Sequence, residues 1–83
     1  KKPNPSEALA ISKSLGLKTE EIIFVGDSGI DIQTATNANM LAVGVSWGYR
    51  PKEELITEGA KYILDNPLDL IPILKADCVN ILS

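Results

Sequence analysis

The chain has 83 residues, 45% of them hydrophobic, which fits one small domain. A domain this short hides only about 60–65% of the surface its unfolded chain exposes. Eight basic residues against eleven acidic ones give a net charge of −3, with no Lys/Arg run, which argues against nucleic acid or an anionic membrane as the main partner. Aromatic content of 5% leaves few platforms for base stacking. A single cysteine, Cys78, forms no internal disulfide, and without histidine there is no Cys/His zinc constellation. Both absences suit a reducing cytoplasm. No leader-like stretch and no run near the roughly 18 apolar residues of a membrane span is present. The chain starts at Lys1 without an initiator methionine, so it is read as a piece of something longer.

In chain order, Ser6 followed by "EALAISKSLG" predicts a helix with a hydroxyl at its start, an acid in its first turn and Gly16 just past its end. Ala8, Ile11 and Leu15 share one face. After a polar connector, "IIFV" at 22–25 is continuously apolar, which suits a strand covered on both faces and therefore a parallel sheet. "GIDIQTATNA" at 29–38 is the next helix, with Ile30, Thr34 and Ala38 on one stripe and Asn39 in the left-handed position that ends it. "LAVGV" at 41–45 is a second buried strand, followed by the loop "SWGY". Pro51 opens "PKEELITEG", with Glu53 and Glu54 near the helix's positive end and Gly59 as a stop. "KYIL" predicts a third strand, and Asn66 and Pro67 begin a last helix that Pro72 bends or shortens. The tail "ADCVNILS" is left open.

Strands separated by crossover helices run parallel, with helices on both sheet faces. The fold class is therefore α/β, a doubly wound, Rossmann-like parallel sheet of about three strands. Ligands of such sheets bind beyond the carboxyl ends of the strands, where Asp27 and Ser46 fall.

"GDSGID" at 26–31 places two carboxylates at that end, Asp27 and, one helical turn on, Asp31. Hard divalent cations such as Mg²⁺ prefer carboxylate and water oxygens and take one or two protein carboxylates together with substrate phosphate, so the spacing suits a metal. It equally suits a cap at Asp27 and a solvated or amide-bonded first-turn acid at Asp31. The stretch matches neither GxGxxG nor GxxxxGK[ST], which removes dinucleotide and Walker-type readings. Without histidine, Ser28 has no triad partner and is not a nucleophile.

"KPNP" at 2–5, followed about twenty residues later by "IIFVGDSGIDIQTATNANMLAVGVSWGY", resembles the C-terminal part of the haloacid dehalogenase superfamily, most closely its phosphoglycolate phosphatase-like members. The resemblance covers roughly residues 2–74. It implies a Mg²⁺-dependent phosphomonoester hydrolase acting through an aspartyl phosphate on a small phosphorylated metabolite. By position it makes Lys2 the lysine that holds the substrate phosphate and the nucleophile's carboxylate, Asp27 the direct metal ligand and Asp31 a supporting acid. Ser28 and Trp47 are taken as substrate contacts, with Tyr49 beside them at the substrate mouth. A phosphate monoester carries close to two negative charges, so an attacking carboxylate needs such cationic compensation.

The chain departs from the family in one decisive respect. Its five aspartates, Asp27, Asp31, Asp65, Asp69 and Asp77, offer no DxDx[TV] motif. The family's nucleophile strand, its phosphate-binding Ser/Thr and its cap domain are therefore expected in a missing N-terminal half, which becomes a partner of this segment. Because the family's nucleophile strand lies beside the strand ending in GDxxxD, residues 22–25 are expected to form an unpaired edge. Two alternatives stay open: a non-catalytic α/β binding or interaction module whose acids are only caps, and a sugar-phosphate mutase of the same superfamily.

Overall fold

Apolar residues on both sides of two short strands set the architecture. In the computed structural model, which describes residues 4–77 and 80–82, β1 (Ile22–Gly26) and β2 (Leu41–Val45) run parallel, in a register that puts Gly26 beside Gly44. β3 (Tyr62–Leu64) pairs parallel with β2, and β4 (Asn80–Leu82) pairs parallel with β1. The sheet order is β3-β2-β1-β4. Four helices connect or flank the strands: α1 (Ser6–Leu15), α2 (Gly29–Asn37), α3 (Lys52–Thr57) and α4 (Leu70–Asp77).

Side chains alternate across β1, so consecutive apolar residues feed two separate cores. Ile22, Phe24 and Ala42 join Ala8 of α1, Ile32 and Ala35 of α2 and Leu55 of α3 on one face. Ile23, Val43, Val45 and Leu64 meet Ile73 of α4 on the other. That division explains why "IIFV" lacks a polar alternation, and it makes the sheet doubly wound. At Gly44 a methyl group would lie 2.8 Å from Leu55 Cδ1, so the missing side chain is what lets α3 settle onto β2.

The helix stops behave as the sequence predicts. Gly16 at φ 70°, Asn39 at φ 60° and Gly59 at φ 103° all adopt the left-handed region. Pro72 falls in the first turn of α4, where an amide donor is not needed; ahead of it, Pro67–Asp69 forms a 3-10 turn capped by Asn66. The shortening expected of Pro72 thus appears as a late start to the helix.

Three expectations require correction. On α1 the buried stripe is Ala8 and Ser12, while Ile11 and Leu15 are exposed. Ser12 is accommodated because its hydroxyl donates to the Leu17 carbonyl at 2.6 Å, satisfying the buried oxygen locally. The start of α1 is bonded by Asn4, whose Oδ1 accepts from the Ser6 amide at 2.9 Å, and not by the Ser6 hydroxyl. On α2, Thr34 and Ala38 of the expected stripe are buried but Ile30 is exposed, and Asp31, Ile32 and Ala35 join the buried face. Asp31, about 100° around the helix from Ile30, is the first-turn residue that turns inward.

The expected open edge is also absent. β1 is flanked on both sides, because the tail that the sequence left open supplies β4, pairing Ile22 with Asn80, Ile23 with Ile81 and Phe24 with Leu82. An apolar strand with unsatisfied amides recruits a neighbour, and α4 on the second face brings the chain back across the sheet to provide one. The order of strands reverses at this point, β2 and β3 lying on one side of β1 and β4 on the other. Such a reversal is where doubly wound sheets place their ligand crevice, and the carboxyl end of β1 carries Gly26 and Asp27.

Candidate functional site

The turn from β1 into α2 is held by hydrogen bonds among its own residues. Ser28, in an extended conformation at φ −137° and ψ 158°, is the N-cap of α2, and its Oγ accepts from the Asp31 amide at 3.2 Å. Asp31 returns the bond: its Oδ2 accepts from the Asp27 amide, also at 3.2 Å. This reciprocal arrangement satisfies backbone donors that a helix start otherwise leaves unpaired. Gly26 is required here, since a methyl group at that position would overlap the Asp31 side chain.

The two acids therefore differ in state. Asp31 is 8% exposed, folded into the turn with an oxygen engaged by the backbone. Asp27 is exposed, and its carboxylate has no hydrogen-bond or ion-pair partner among the described residues. The cap foreseen at Asp27 belongs to Ser28. Asp27 is left as an exposed carboxylate at the carboxyl end of a central strand, an arrangement suited to a hard cation or to hydrogen-bond donors from a ligand.

The loop at 46–50 leaves β2 at the same end of the sheet, as the parallel register of Gly26 with Gly44 demands. Gly48 comes against Asp27 so closely that a methyl group there would overlap the Asp27 Cβ. Trp47 and Tyr49, on either side, stand out from the surface at 52% and 93% exposure. The expected substrate contacts are thus divided: Ser28 adjoins Asp27 and caps α2, while Trp47 flanks the site about half exposed. Lys2 lies outside the described residues, and so does Cys78.

Beyond Gly29 the site continues into a cleft of about 380 Å³ between α2 and α3, lined by Ser28, Gly29, Gln33, Arg50, Glu54 and Glu58 among others. Glu54 accepts from the Gly29 amide at 2.7 Å and from Arg50 Nε and Nη2 at 2.8 and 2.6 Å. Glu58 accepts from Gln33 Nε2 at 2.6 Å. The Arg50 guanidinium, and after it the Gly29 amide, hold the Glu54 carboxyl below its usual range, and the same contact with Glu54 raises Arg50. Sequence reasoning passed over Glu54, treating it only as a first-turn acid of α3. Its distance of 25 residues from Gly29 left no local spacing that would have flagged it.

No group of three or more His, Cys, Asp or Glu side chains that could hold a metal occurs among the described residues. An all-protein cage of the kind that retains Ca²⁺ is therefore not formed by them. A Mg²⁺ site completed by water and substrate phosphate needs only one or two carboxylates, and Asp27 with Asp31 behind it meets that requirement. No helix among the described residues is long and apolar enough to cross a membrane.

Comparison with known proteins identifies the family. The profile of the haloacid dehalogenase-like hydrolases matches residues 1–45. Phosphoglycolate phosphatase of Pectobacterium atrosepticum is 36% identical over 74 residues, covering 89% of this chain and 32% of that protein. Its counterpart from Salmonella typhimurium is 39% identical over 74 residues, covering 89% and 29%. A crystal structure from Lactobacillus delbrueckii subsp. bulgaricus, provisionally named a phosphoglycolate phosphatase, superposes with a TM-score of 0.80 at 36% identity, covering 89% of this chain and 31% of its own. The chain spans about 30% of the length of the curated relatives it matches.

Proposed function

The chain belongs to the haloacid dehalogenase-like hydrolases, and from that premise we propose that it is the C-terminal core segment of a Mg²⁺-dependent phosphomonoester hydrolase, phosphoglycolate phosphatase-like, that works through an aspartyl phosphate. The observation that carries the reading is the division between the two acids: Asp31 is spent on the turn, and Asp27 is presented without a partner among the described residues. A purely structural turn would not need the second carboxylate.

In this reading Asp27 is the direct ligand of Mg²⁺, and Asp31 fixes the Asp27 backbone so that the ligand is aimed before the metal arrives. The metal, when bound, offsets the negative charge of the substrate phosphate and of the carboxylate that attacks it. Lys2 provides the second cationic group, holding phosphate and nucleophile together. The Ser28 hydroxyl, whose oxygen already accepts from Asp31, keeps its proton to donate to a phosphate oxygen. Trp47 borders the mouth and contacts the organic part of a small phosphorylated metabolite. The attacking aspartate and the determinants of substrate choice reside in the N-terminal half of the same cytoplasmic protein, and neither nucleic acid nor membrane is a partner.

The test is made on the full reading frame that contains this segment. Its product should hydrolyse p-nitrophenyl phosphate and 2-phosphoglycolate, lose activity on chelation and regain it with Mg²⁺. The 83-residue chain alone should show no metal-dependent turnover. Turnover by the isolated chain that survives repurification and vanishes in Asp27→Ala would overturn the division of labour. Indifference of the full product to chelation would overturn the metal.

A further inference from the structure

Ser28 and Asp31 bond two of the amides at the start of the turn, but the amide of Gly29, the first residue of α2, is bonded from elsewhere in the chain. Glu54 reaches across from α3 and accepts it at 2.7 Å, a short, charge-assisted contact. The carboxylate cannot swing freely, because Arg50 grips its other oxygen through two nitrogens at 2.8 and 2.6 Å. The approach is close on both sides. A methyl group at Gly29 would lie 2.9 Å from Glu58 Cγ and 3.0 Å from Glu54 Oε2, and one at Gly48 would overlap Asp27. The turn at 27–29 is therefore bracketed by α3 and its preceding loop, with Gly48 against Asp27 and Glu54 at Gly29.

We propose that Glu54 is a positioning residue for Asp27, with Arg50 as the group that holds it in place. The inference rests on the reading of Asp27 as a metal ligand. Asp27 is exposed and its carboxylate has no partner among the described residues, so its place is set by its backbone and by the contact of its Cβ with Gly48. That backbone is pinned at two points: at Asp27 itself by Asp31, and two residues on, at Gly29, by Glu54. Releasing Gly29 frees the start of α2 to shift, and the carboxylate that precedes it shifts as well. Loss of a group that orients a metal ligand typically costs ~10–100-fold in metal affinity.

The experiment uses the product of the full reading frame that contains this segment, uniformly ¹⁵N-labelled and titrated with Mn²⁺ as a paramagnetic probe of the Asp27 site. In the wild type, broadening should centre on the Asp27 and Ser28 amides. Glu54→Ala should move the Gly29 amide resonance upfield before any metal is added, and should weaken Mn²⁺ binding by about tenfold or more. Glu54→Gln removes the charge but keeps an acceptor for Gly29, and should restore binding toward the wild-type value. If Glu54→Ala does not fold, Glu54→Asp, which withdraws the carboxylate by one methylene, takes its place and should lose affinity in the same way.

Wild-type Mn²⁺ affinity in a folded Glu54→Ala or Glu54→Asp chain whose Gly29 resonance has moved would overturn the proposal, since the contact would then exist without positioning anything. Equal losses in Glu54→Gln and Glu54→Ala would overturn it too, by assigning the effect to charge alone. Absence of selective broadening in the wild type would overturn the metal reading and this inference with it. The metal-independent shift of Gly29 distinguishes that outcome from a failure of Glu54 alone.

Discussion

The two loops at the carboxyl end of the sheet are built on opposite plans. The β1–α2 turn is held mostly from within: Ser28 Oγ accepts from the Asp31 amide and Asp31 Oδ2 from the Asp27 amide, all inside five residues, and only the Gly29 amide looks outside for its acceptor. The β2–α3 loop exposes Trp47 and Tyr49 and is anchored by contacts to the first loop, through Gly48 at Asp27 and Glu54 at Gly29. The lesson is that the acids are aimed from within and braced from without. In the proposed reading the inner loop carries the metal ligand, and the outer one supplies fixity to its neighbour and apolar surface to a ligand.

Substitutions that break the inner loop should have the largest effects. In the complete enzyme, Asp27→Asn should reduce activity more than Asp31→Asn, whose loss is expected at ~10–100-fold because it orients a ligand without being one; steady-state assays at saturating Mg²⁺ measure both. Equal and mild losses would favour capping as the role of both acids. On stability the order reverses. Asp31→Ala leaves the Asp27 amide without its acceptor and should destabilise the fold by about 1–3 kcal/mol in urea unfolding, whereas Asp27→Ala, an exposed group, should stay within about 0.5 kcal/mol.

The outer loop gives smaller and more separable effects. Gly48→Ala introduces an overlap with Asp27 and should destabilise by about 1–3 kcal/mol, with the displacement visible as a shift of the Asp27 amide resonance. Tyr49→Ala, at 93% exposure, should leave unfolding unchanged within about 0.5 kcal/mol.

How much of this was legible in the sequence follows from the range of each interaction. The strands at 22–26, 41–45 and 62–64 are marked by local apolar runs, and the helix stops at Gly16, Asn39 and Gly59 by residues that tolerate positive φ. Asp27 and Asp31 were placed on one turn by their spacing alone. The burial of Asp31 was not readable, because the buried face is wider than the expected stripe: Thr34 and Ala38 are buried as expected, but Asp31 and Ala35 are buried with them and Ile30 is not. β4 was missed for a different reason: "NIL" is too short to announce a strand, and its stability comes from pairing with β1, far away in sequence. Glu54 belongs to the same class, a long-range partner with no local signature.

The weakest expected effect concerns pH. The Glu54 carboxyl is lowered by Arg50 and the Gly29 amide, so its folded value lies below the unfolded one of about 4.3. Its contribution to stability is complete above that pH and is lost as pH falls through the folded value. The wild type and Glu54→Gln should therefore show parallel stability profiles at neutral pH that converge or cross only in acid. The pair with Arg50 is exposed, so the difference should be small.

The central claim is that Asp27 is the acid presented to a metal and Asp31 the acid that aims it. Mn²⁺-induced broadening of the Ser28 amide, compared among the wild type, Asp27→Asn and Asp31→Asn, tests it most directly. The account predicts broadening in the wild type, its loss in Asp27→Asn at every accessible metal concentration, and its survival at ~10–100-fold weaker affinity in Asp31→Asn. Undiminished broadening in Asp27→Asn, or its abolition only in Asp31→Asn, would contradict it.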